Sequence, residues 1–170
     1  MSLCPACGFD NIEGVDLCQE CQLSLTELSH PQPRTLVEQG LMKDRIDALE
    51  PRKPLSVSPE TTIGEVLQKM VAGSIGCVMV VERDKLVGIF TEYDALMKVN
   101  TKVADLANNP IRSVMTTNPV TLELNNRIAY ALHKMHVGGY RHIPVLSADK
   151  LVGVSSIRDI LNYLAQRIVS

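Results

Sequence analysis

The feature that most constrains this chain is a unit that occurs twice, at an offset of 65 residues. Without any gap, residues 73–88 align with residues 138–153, and both segments end in Asp-Lys-Leu-Val-Gly. Each copy predicts a short strand, a helix with one apolar face, two further strands joined by a turn, and a second helix. Tandem copies of this kind bury part of each other's core. We therefore predict an α+β fold of two β-α-β-β-α repeats with pseudo-twofold symmetry.

A cluster of cysteines precedes the repeats. Four of the five cysteines form two Cys-x-x-Cys pairs, and the spacer between the pairs has room for one short hairpin. Two such pairs present four thiolates to one ion, which is typical of structural zinc. The alternatives are a rubredoxin-type iron centre and a redox-active Cys-x-x-Cys, whereas four thiolates leave no open position for catalysis. The predicted metal ligands are Cys4, Cys7, Cys18 and Cys21.

This segment resembles the short zinc ribbons that begin many bacterial and archaeal proteins. It departs from their pattern at Gln22, where glycine is usual, which weakens the turn but leaves the ligands in place. Residues 1–33 contain no lysine or arginine, although they contain several acidic residues. Because nucleic-acid binding needs cations against phosphates, we favour a ribbon that docks a protein or stabilises a dimer.

Composition shifts divide the chain into four parts. The predicted boundaries are a zinc ribbon at 1–28, a linker and helix at 29–45, a first repeat at 46–105 and a second at 106–170. The linker is the polar, proline-containing stretch 29–33, and helical spacing of apolar residues follows over 34–49.

Each repeat carries the motif Gly-hydrophobic-x-Thr/Ser-x-x-Asp where its second helix starts. The tandem unit with this motif resembles the CBS domain pair, named for cystathionine β-synthase, over nearly all of the chain outside the ribbon. The resemblance implies a homodimeric regulatory module that binds an adenine nucleotide (AMP, ADP or ATP, with S-adenosylmethionine or NAD also possible). The two motifs are Gly88-Ile-Phe-Thr91-Glu-Tyr-Asp94 and Gly153-Val-Ser-Ser156-Ile-Arg-Asp159.

In the CBS family this motif implies binding of ribose and phosphate, and the local chemistry agrees. A threonine or serine at a helix start lies beside free backbone amides that favour an anion. The aspartate would repel phosphate, so it suits ribose hydroxyls instead. The alternative is that Thr91 with Asp94, and Ser156 with Asp159, are capping boxes, since a cap alone explains both pairs.

The two copies are not equivalent. Arg141 and His142 precede the second strand of the second copy, where the first copy has the uncharged Gly76 and Cys77. The resemblance implies that basic residues at this strand start contact phosphate, although a surface ion pair is the alternative for Arg141. The stronger site is therefore predicted in the second copy. Its predicted residues are Asp159, Ser156, Arg141 and His142, with Thr121, Val120 or Ile143 against the adenine.

These observations predict a cytoplasmic regulator with an unidentified protein partner, and not an enzyme. We find no catalytic triad, no apolar run long enough to span a membrane and no secretion signal. The alternatives are a ribbon-mediated nucleic-acid-binding regulator and a ligand-free structural dimerisation module. His133 and His136 are expected on a solvated helix face, because no third metal ligand is evident beside them.

Overall fold

The computed structural model describes residues 2–168 except 5, 13 and 26–34, so the predicted linker at 29–33 lies outside the described residues. The chain divides into two compact units. The first comprises Met1–Pro51, Leu122–Ile143 and Ser155–Ser170, and the second comprises Arg52–Thr121 and Pro144–Val154. The second repeat therefore contributes residues to both units.

The N-terminal part, which we call the cysteine segment (residues 2–25), belongs to the first unit. Strand β1 (Ser2–Leu3) pairs with β2 (Asp10–Asn11) in antiparallel orientation. A second antiparallel bridge joins Leu17 to Ser24. Each Cys-x-x-Cys thus lies in the turn of its own small hairpin, one on either side of the spacer. Strand pairing on either side of a turn brings both cysteines of a pair to one end.

Helix α1 (Leu36–Lys43) is shorter than the helical spacing over 34–49 predicted. It begins with a capping box between Thr35 and Glu38. It ends because the backbone of Asp44 turns to an extended conformation, where its carbonyl accepts a hydrogen bond from the amide of Ile128 at 3.0 Å. A short 3₁₀ turn, Ile46–Leu49, follows.

Residues 52–121 form a four-stranded sheet in the order β3 (Ser56–Val57), β4 (Cys77–Glu82), β5 (Lys85–Thr91) and β6 (Thr116–Thr117), of which the first three strands belong to the first repeat. Only the β3–β4 pair is parallel, and the other two pairs are antiparallel. After β5, helix α3 (Glu92–Asp94) is continued by a π-helical turn, Ala95–Val99. The other elements between residues 52 and 121 are α2 (Ile63–Gly73), two 3₁₀ turns (Asn100–Lys102 and Ile111–Ser113) and α4 (Val103–Leu106).

The second repeat forms a three-stranded sheet in the order β7-β8-β9. Its elements are β7 (Leu122–Glu123), α5 (Ile128–Gly138), β8 (His142–Ser147), β9 (Lys150–Ser156) and α6 (Ile157–Ile168). The order of elements in the two repeats confirms the predicted α+β fold. Both hairpins turn through two residues with positive φ, Arg83–Asp84 and Ala148–Asp149, which matches the twist of antiparallel strands.

Each unit has its own apolar interior. In the second unit, α2 packs Val66 and Met70 against Val78, Val80 and Phe90 of the sheet. In the first unit, helices α1, α5 and α6 contact one another. Among the described residues, no helix has the length and apolar character needed to cross a bilayer.

Candidate functional site

The four cysteines of the cysteine segment converge on one point. Their sulfur atoms all lie within 4.8 Å of one another. The Sγ atoms of Cys4 and Cys21 are 3.5 Å apart, as are those of Cys7 and Cys18. Tetrahedral zinc with Zn–S bonds of about 2.3 Å places its sulfurs roughly 3.8 Å apart. The donor set and its spacing therefore fit one tetrahedral ion held by thiolates.

The two Cys-x-x-Cys turns have the same backbone geometry. The amide of Gly8 donates to the Cys4 carbonyl, and the amide of Gln22 donates to the Cys18 carbonyl, both at 2.9 Å. Gly8 has a φ of 77° and Gln22 a φ of 62°, so Gln22 adopts the left-handed conformation that glycine has in the first turn. A residue other than glycine is strained in the left-handed region of φ and ψ. The predicted weakness of this turn therefore has a structural basis.

Asn11 supports the cluster from the side. Its amide nitrogen lies 3.6 Å from the Cys18 sulfur, and its oxygen accepts a hydrogen bond from the amide of Gln19 at 2.9 Å. Burial opposes ionisation of Cys18, but hydrogen bonds from the backbone amides of Cys21 and Glu20 and from Asn11 outweigh it and lower the pKa of the thiol to about 6. Burial raises the pKa of Cys7 to about 11 and raises that of Cys21 as well, so Cys18 is the one of these three thiols that ionises readily.

His133 does not lie on a solvated face, and that expectation was wrong. Its Nε2 donates to the backbone carbonyl of Cys21 at 2.9 Å, so helix α5 holds the second cysteine turn. His136, one turn later, is exposed as expected. The sequence could not show this contact, because the two residues are 112 positions apart.

The motif of the second repeat forms a reciprocal cap at the start of α6. The backbone amide of Ser156 donates to Asp159 Oδ2 at 2.8 Å, and the Ser156 hydroxyl donates to the same oxygen at 2.6 Å. The Asp159 amide donates back to the Ser156 hydroxyl at 3.3 Å. The capping alternative therefore describes the local hydrogen bonds. A ligand role for Asp159 stays a prediction.

The backbone brings Arg141 beside this cap. The carbonyl of Arg141 accepts a hydrogen bond from the amide of Ile157 at 3.0 Å, directly after Ser156. His142 follows at the first position of β8 and is half-buried. Four of the predicted site residues thus share the first unit. Thr121 ends the Arg52–Thr121 stretch of the second unit.

The motif of the first repeat has the same cap with different surroundings. Thr91 and Asp94 form a capping box, and both Thr91 donors reach Asp94 Oδ2, at 3.0 Å from the amide and 2.7 Å from the hydroxyl. The other oxygen, Oδ1, lies 2.7 Å from the ammonium of Lys98 and accepts from the Thr116 hydroxyl at 3.1 Å. Sequence reasoning missed Lys98, whose only signal was its position four residues after Asp94.

The geometry of Asp94 sets its ionisation. Burial by itself would raise the pKa of Asp94, but hydrogen bonds from Lys98 and Thr91, and the charge of Lys98, overcome this and lower it. The carboxylate is therefore held in its ionised form.

Comparison with known proteins places these motifs in one family. Residues 46–100 and 111–166 match the CBS domain. A CBS domain-containing protein of Arabidopsis thaliana, CBSCBSPB1, is 38% identical over 110 residues, which are 65% of this chain and 20% of that protein. The chain thus spans about a fifth of the length of that relative.

Solved structures agree with the sequence match. A CBS-domain-containing protein from Agrobacterium tumefaciens is 29% identical, with a TM-score of 0.66 over 71% of this chain and 98% of that chain. A CBS domain protein from Pyrobaculum aerophilum, solved as a complex with AMP, is 28% identical, with a TM-score of 0.62 over 72% of this chain and 99% of that chain.

This chain belongs to the CBS domain family. The match falls on both copies of the repeated unit, which confirms that the chain carries a tandem CBS pair. The cysteine segment lies outside the matched residues, and its four converging sulfurs are compatible with the predicted zinc ribbon.

Proposed function

We propose that this chain is a regulatory sensor that binds an adenine nucleotide in its CBS pair and signals to a protein partner. The observation that carries the proposal is the backbone hydrogen bond from the Ile157 amide to the Arg141 carbonyl. It sets a residue with a guanidinium group beside the Ser156–Asp159 cap. A carboxylate for ribose and a cation for phosphate are the two charges that a nucleotide needs.

Each predicted site residue has a separate role in this proposal. Asp159 accepts hydrogen bonds from ribose, while Arg141, His142 and the N-terminal turn of α6 receive phosphate. Thr121 lies against the adenine, a role that rests on the family resemblance alone. Asp94 and Thr91 offer a second, weaker site in the first repeat. The Pyrobaculum aerophilum relative, solved with AMP, supports AMP as the first nucleotide to test.

The cysteine segment is proposed to hold one structural zinc ion and to dock a protein. The spacing of its four sulfurs supports the ion, and a segment of this size cannot bury enough apolar surface to fold without one. Asp10, Asp16 and Glu20 are exposed on it, which disfavours contact with nucleic acid. The hydrogen bond from His133 to Cys21 ties the segment to the second repeat within the same unit.

Helical surfaces support a homodimer. An open apolar groove of about 400 Å³ lies between α2 and the π-helical turn, where Val71 and Leu96 are 81% and 65% exposed. Helices of the second repeat expose Val137 and Leu161 in the same way. Exposed apolar surface of this kind marks an interface, and a second copy of the chain is its proposed occupant. Sedimentation velocity tests this, because Leu96→Asp should then yield monomers.

A cytoplasmic location and a role without catalysis complete the proposal. Cysteines that ligate a metal, rather than forming disulfides, favour a reducing compartment. The Ser156 hydroxyl beside Asp159 is engaged in the α6 cap, which favours a structural or binding role for this pair over a catalytic one.

Isothermal titration of the zinc-loaded protein with AMP, ADP, ATP and S-adenosylmethionine tests the nucleotide site. We expect binding of an adenine nucleotide that Asp159→Asn and Arg141→Ala each weaken by about tenfold or more, which is about 1.4 kcal/mol. Arg83→Ala, which removes the same charge from the exposed hairpin turn of the first repeat, is the matched control and should bind as the wild type does. Absence of binding by a folded, zinc-loaded protein would favour the ligand-free structural alternative.

A further inference from the structure

One helix face is exposed in the first repeat and covered in the second. Helices α2 and α5 each have 11 residues and lie at the 65-residue offset, so their positions correspond one to one. Three neighbouring positions on one face of α2 are exposed, whereas their equivalents on α5 are buried or half-buried. The three pairs are Glu65 with Tyr130, Gln68 with His133, and Lys69 with Lys134.

The cysteine segment lies against this face of α5. The Cys21 carbonyl accepts a hydrogen bond from His133 Nε2 at 2.9 Å. Tyr130, one turn earlier on the helix, is 8% exposed, and burial raises its pKa. The charge of Lys134 opposes that rise, while the charge of Glu20 on the cysteine segment adds to it. Both Tyr130 and His133 thus lie beside the second cysteine turn, which contains Glu20 and Cys21.

The cysteine segment holds this position only while it is folded. A segment of this size buries too little apolar surface to fold alone, so an ion held by its four thiolates would supply the free energy of folding. Without the ion, His133 loses the Cys21 carbonyl and the ring of Tyr130 loses its cover on that side. The metal-loaded and metal-free proteins therefore differ in what α5 contacts.

Helix α5 leads directly to the proposed nucleotide site of the second repeat. The amide of Tyr140 donates to the Met135 carbonyl at 3.1 Å, which holds the loop after α5 against the end of the helix. Arg141 is the next residue, and its carbonyl accepts a hydrogen bond from the amide of Ile157 in α6 at 3.0 Å. These residues and the cysteine segment all belong to the first unit. A displacement of α5 therefore moves Arg141 as well.

We propose that metal binding by the cysteine segment controls helix α5 and, through it, nucleotide binding at the second repeat. The bound metal holds α5 and Arg141 in the arrangement described above, and loss of the metal releases both. Because binding free energies are linked reciprocally, a nucleotide at Arg141 tightens metal binding by the same factor as the metal tightens nucleotide binding. The chain thus responds to two chemically different ligands, a thiolate-binding metal ion and an adenine nucleotide. The nucleotide half of this proposal rests on the proposed function.

Hydrogen exchange of the full-length protein, with zinc bound and after its removal by a chelator, tests the control of α5. Without zinc we expect exchange in residues 128–138 to become about tenfold faster, because α5 loses a hydrogen bond and buried contacts. Exchange in residues 63–73, the equivalent helix α2, should stay the same and is the internal control. Unchanged exchange in α5 on removal of zinc would overturn the proposal.

Titration with AMP tests the link to the nucleotide site. We expect AMP to bind the zinc-loaded protein about tenfold more tightly than the metal-free protein, and zinc to be held more tightly against a chelator by the same factor when AMP is present. In His133→Ala this ratio of affinities should fall towards one. His136→Ala, from the exposed side of α5, is the matched control and should keep the ratio of the wild type.

The outcomes separate this inference from the function on which it rests. Equal AMP affinity with and without zinc would overturn the link and leave the second repeat as a nucleotide site. No AMP binding by the zinc-loaded protein would overturn the link together with the proposed function, whereas exchange in α5 would still decide whether the metal controls that helix. If removal of zinc accelerates exchange in α2 as much as in α5, the whole chain has unfolded, and the two zinc-loaded histidine variants decide. Faster α5 exchange and weaker AMP binding in His133→Ala alone would then support the proposal, and equal behaviour of the two variants would overturn it.

Discussion

The hydroxyl of Tyr163 donates a 2.6 Å hydrogen bond to the carboxylate of Asp44, which lies 119 residues earlier in the chain. Arg167 donates to the same oxygen at 2.5 Å and also lies over the Tyr163 ring. These two contacts with Asp44 hold helix α6 against the end of α1. Both helices belong to the first unit, together with the cysteine segment.

Gly40→Ala should destabilise this contact. A β-carbon at Gly40 would lie 2.4 Å from the Tyr163 hydroxyl, so the tyrosine has to leave Asp44. Overpacking of this kind costs about 1–3 kcal/mol, which exceeds the gain in helix propensity of about 1 kcal/mol. Chemical denaturation measures the difference. In a Tyr163→Phe background the penalty should shrink, because the clashing oxygen is gone, and an equal penalty there would contradict the explanation.

Tyr163 should ionise late in an alkaline titration. Burial, the hydrogen bond to Asp44 and the charge of Asp44 raise its pKa from 10.0 to about 12. Because the folded-state pKa is the higher one, this group stabilises the fold below the unfolded-state pKa, and that contribution is lost as pH rises from about 10 through about 12. Ultraviolet absorbance of tyrosinate follows the titration. Asp44→Asn should move the late step to lower pH, and an unchanged profile would count against the contact.

Adjacent serines should have opposite effects on stability. Ser155 is fully buried, and among the described residues its hydroxyl has no hydrogen-bond partner. Ser155→Ala should therefore stabilise the protein by about 1 kcal/mol, since an unsatisfied buried hydroxyl costs about 1–3 kcal/mol. Ser156→Ala should destabilise it by about 1 kcal/mol through loss of the α6 cap. Thermal unfolding of the two variants provides the comparison, and destabilisation by both would show that Ser155 has a partner.

His133→Ala should loosen the cysteine segment without unfolding the repeats. It removes the hydrogen bond to the Cys21 carbonyl, a contribution of about 1 kcal/mol. Hydrogen exchange of residues 14–25, followed by mass spectrometry, should become faster, while exchange in α2 stays the same. His136→Ala, from the exposed side of the same helix, is the matched control. Equal protection in both variants would mean that His133 does not hold the segment.

Gln22→Gly should strengthen metal retention. Gln22 has a φ of 62°, a conformation that costs a non-glycine residue about 1 kcal/mol or more. Release of the bound metal to a competing chelator should therefore be slower in Gln22→Gly than in the wild type. Gln22→Ala keeps the β-carbon and should release its metal as the wild type does. Faster release from the glycine variant would show that the Gln22 side chain itself supports the turn.

The local features of this protein could be predicted from its sequence. The tandem repeat gave the order of elements, and the motif spacing located the starts of the second helices at Thr91 and Ser156. The cysteine spacing identified four thiols that the structure brings together. These features depend on periodicity and on short spacings, where the partners are at most a few turns apart.

Only the tertiary structure decided which partners the long side chains near the two motifs contact. Lys98 and Tyr163 are equivalent in sequence, yet one reaches Asp94 in its own helical turn and the other reaches Asp44 from far along the chain. His133 likewise meets Cys21 only because the first unit packs the cysteine segment on α5. A flexible side chain can reach several partners. Which partner it contacts depends on how segments that are distant in sequence pack together, and a local sequence pattern contains no information about that packing.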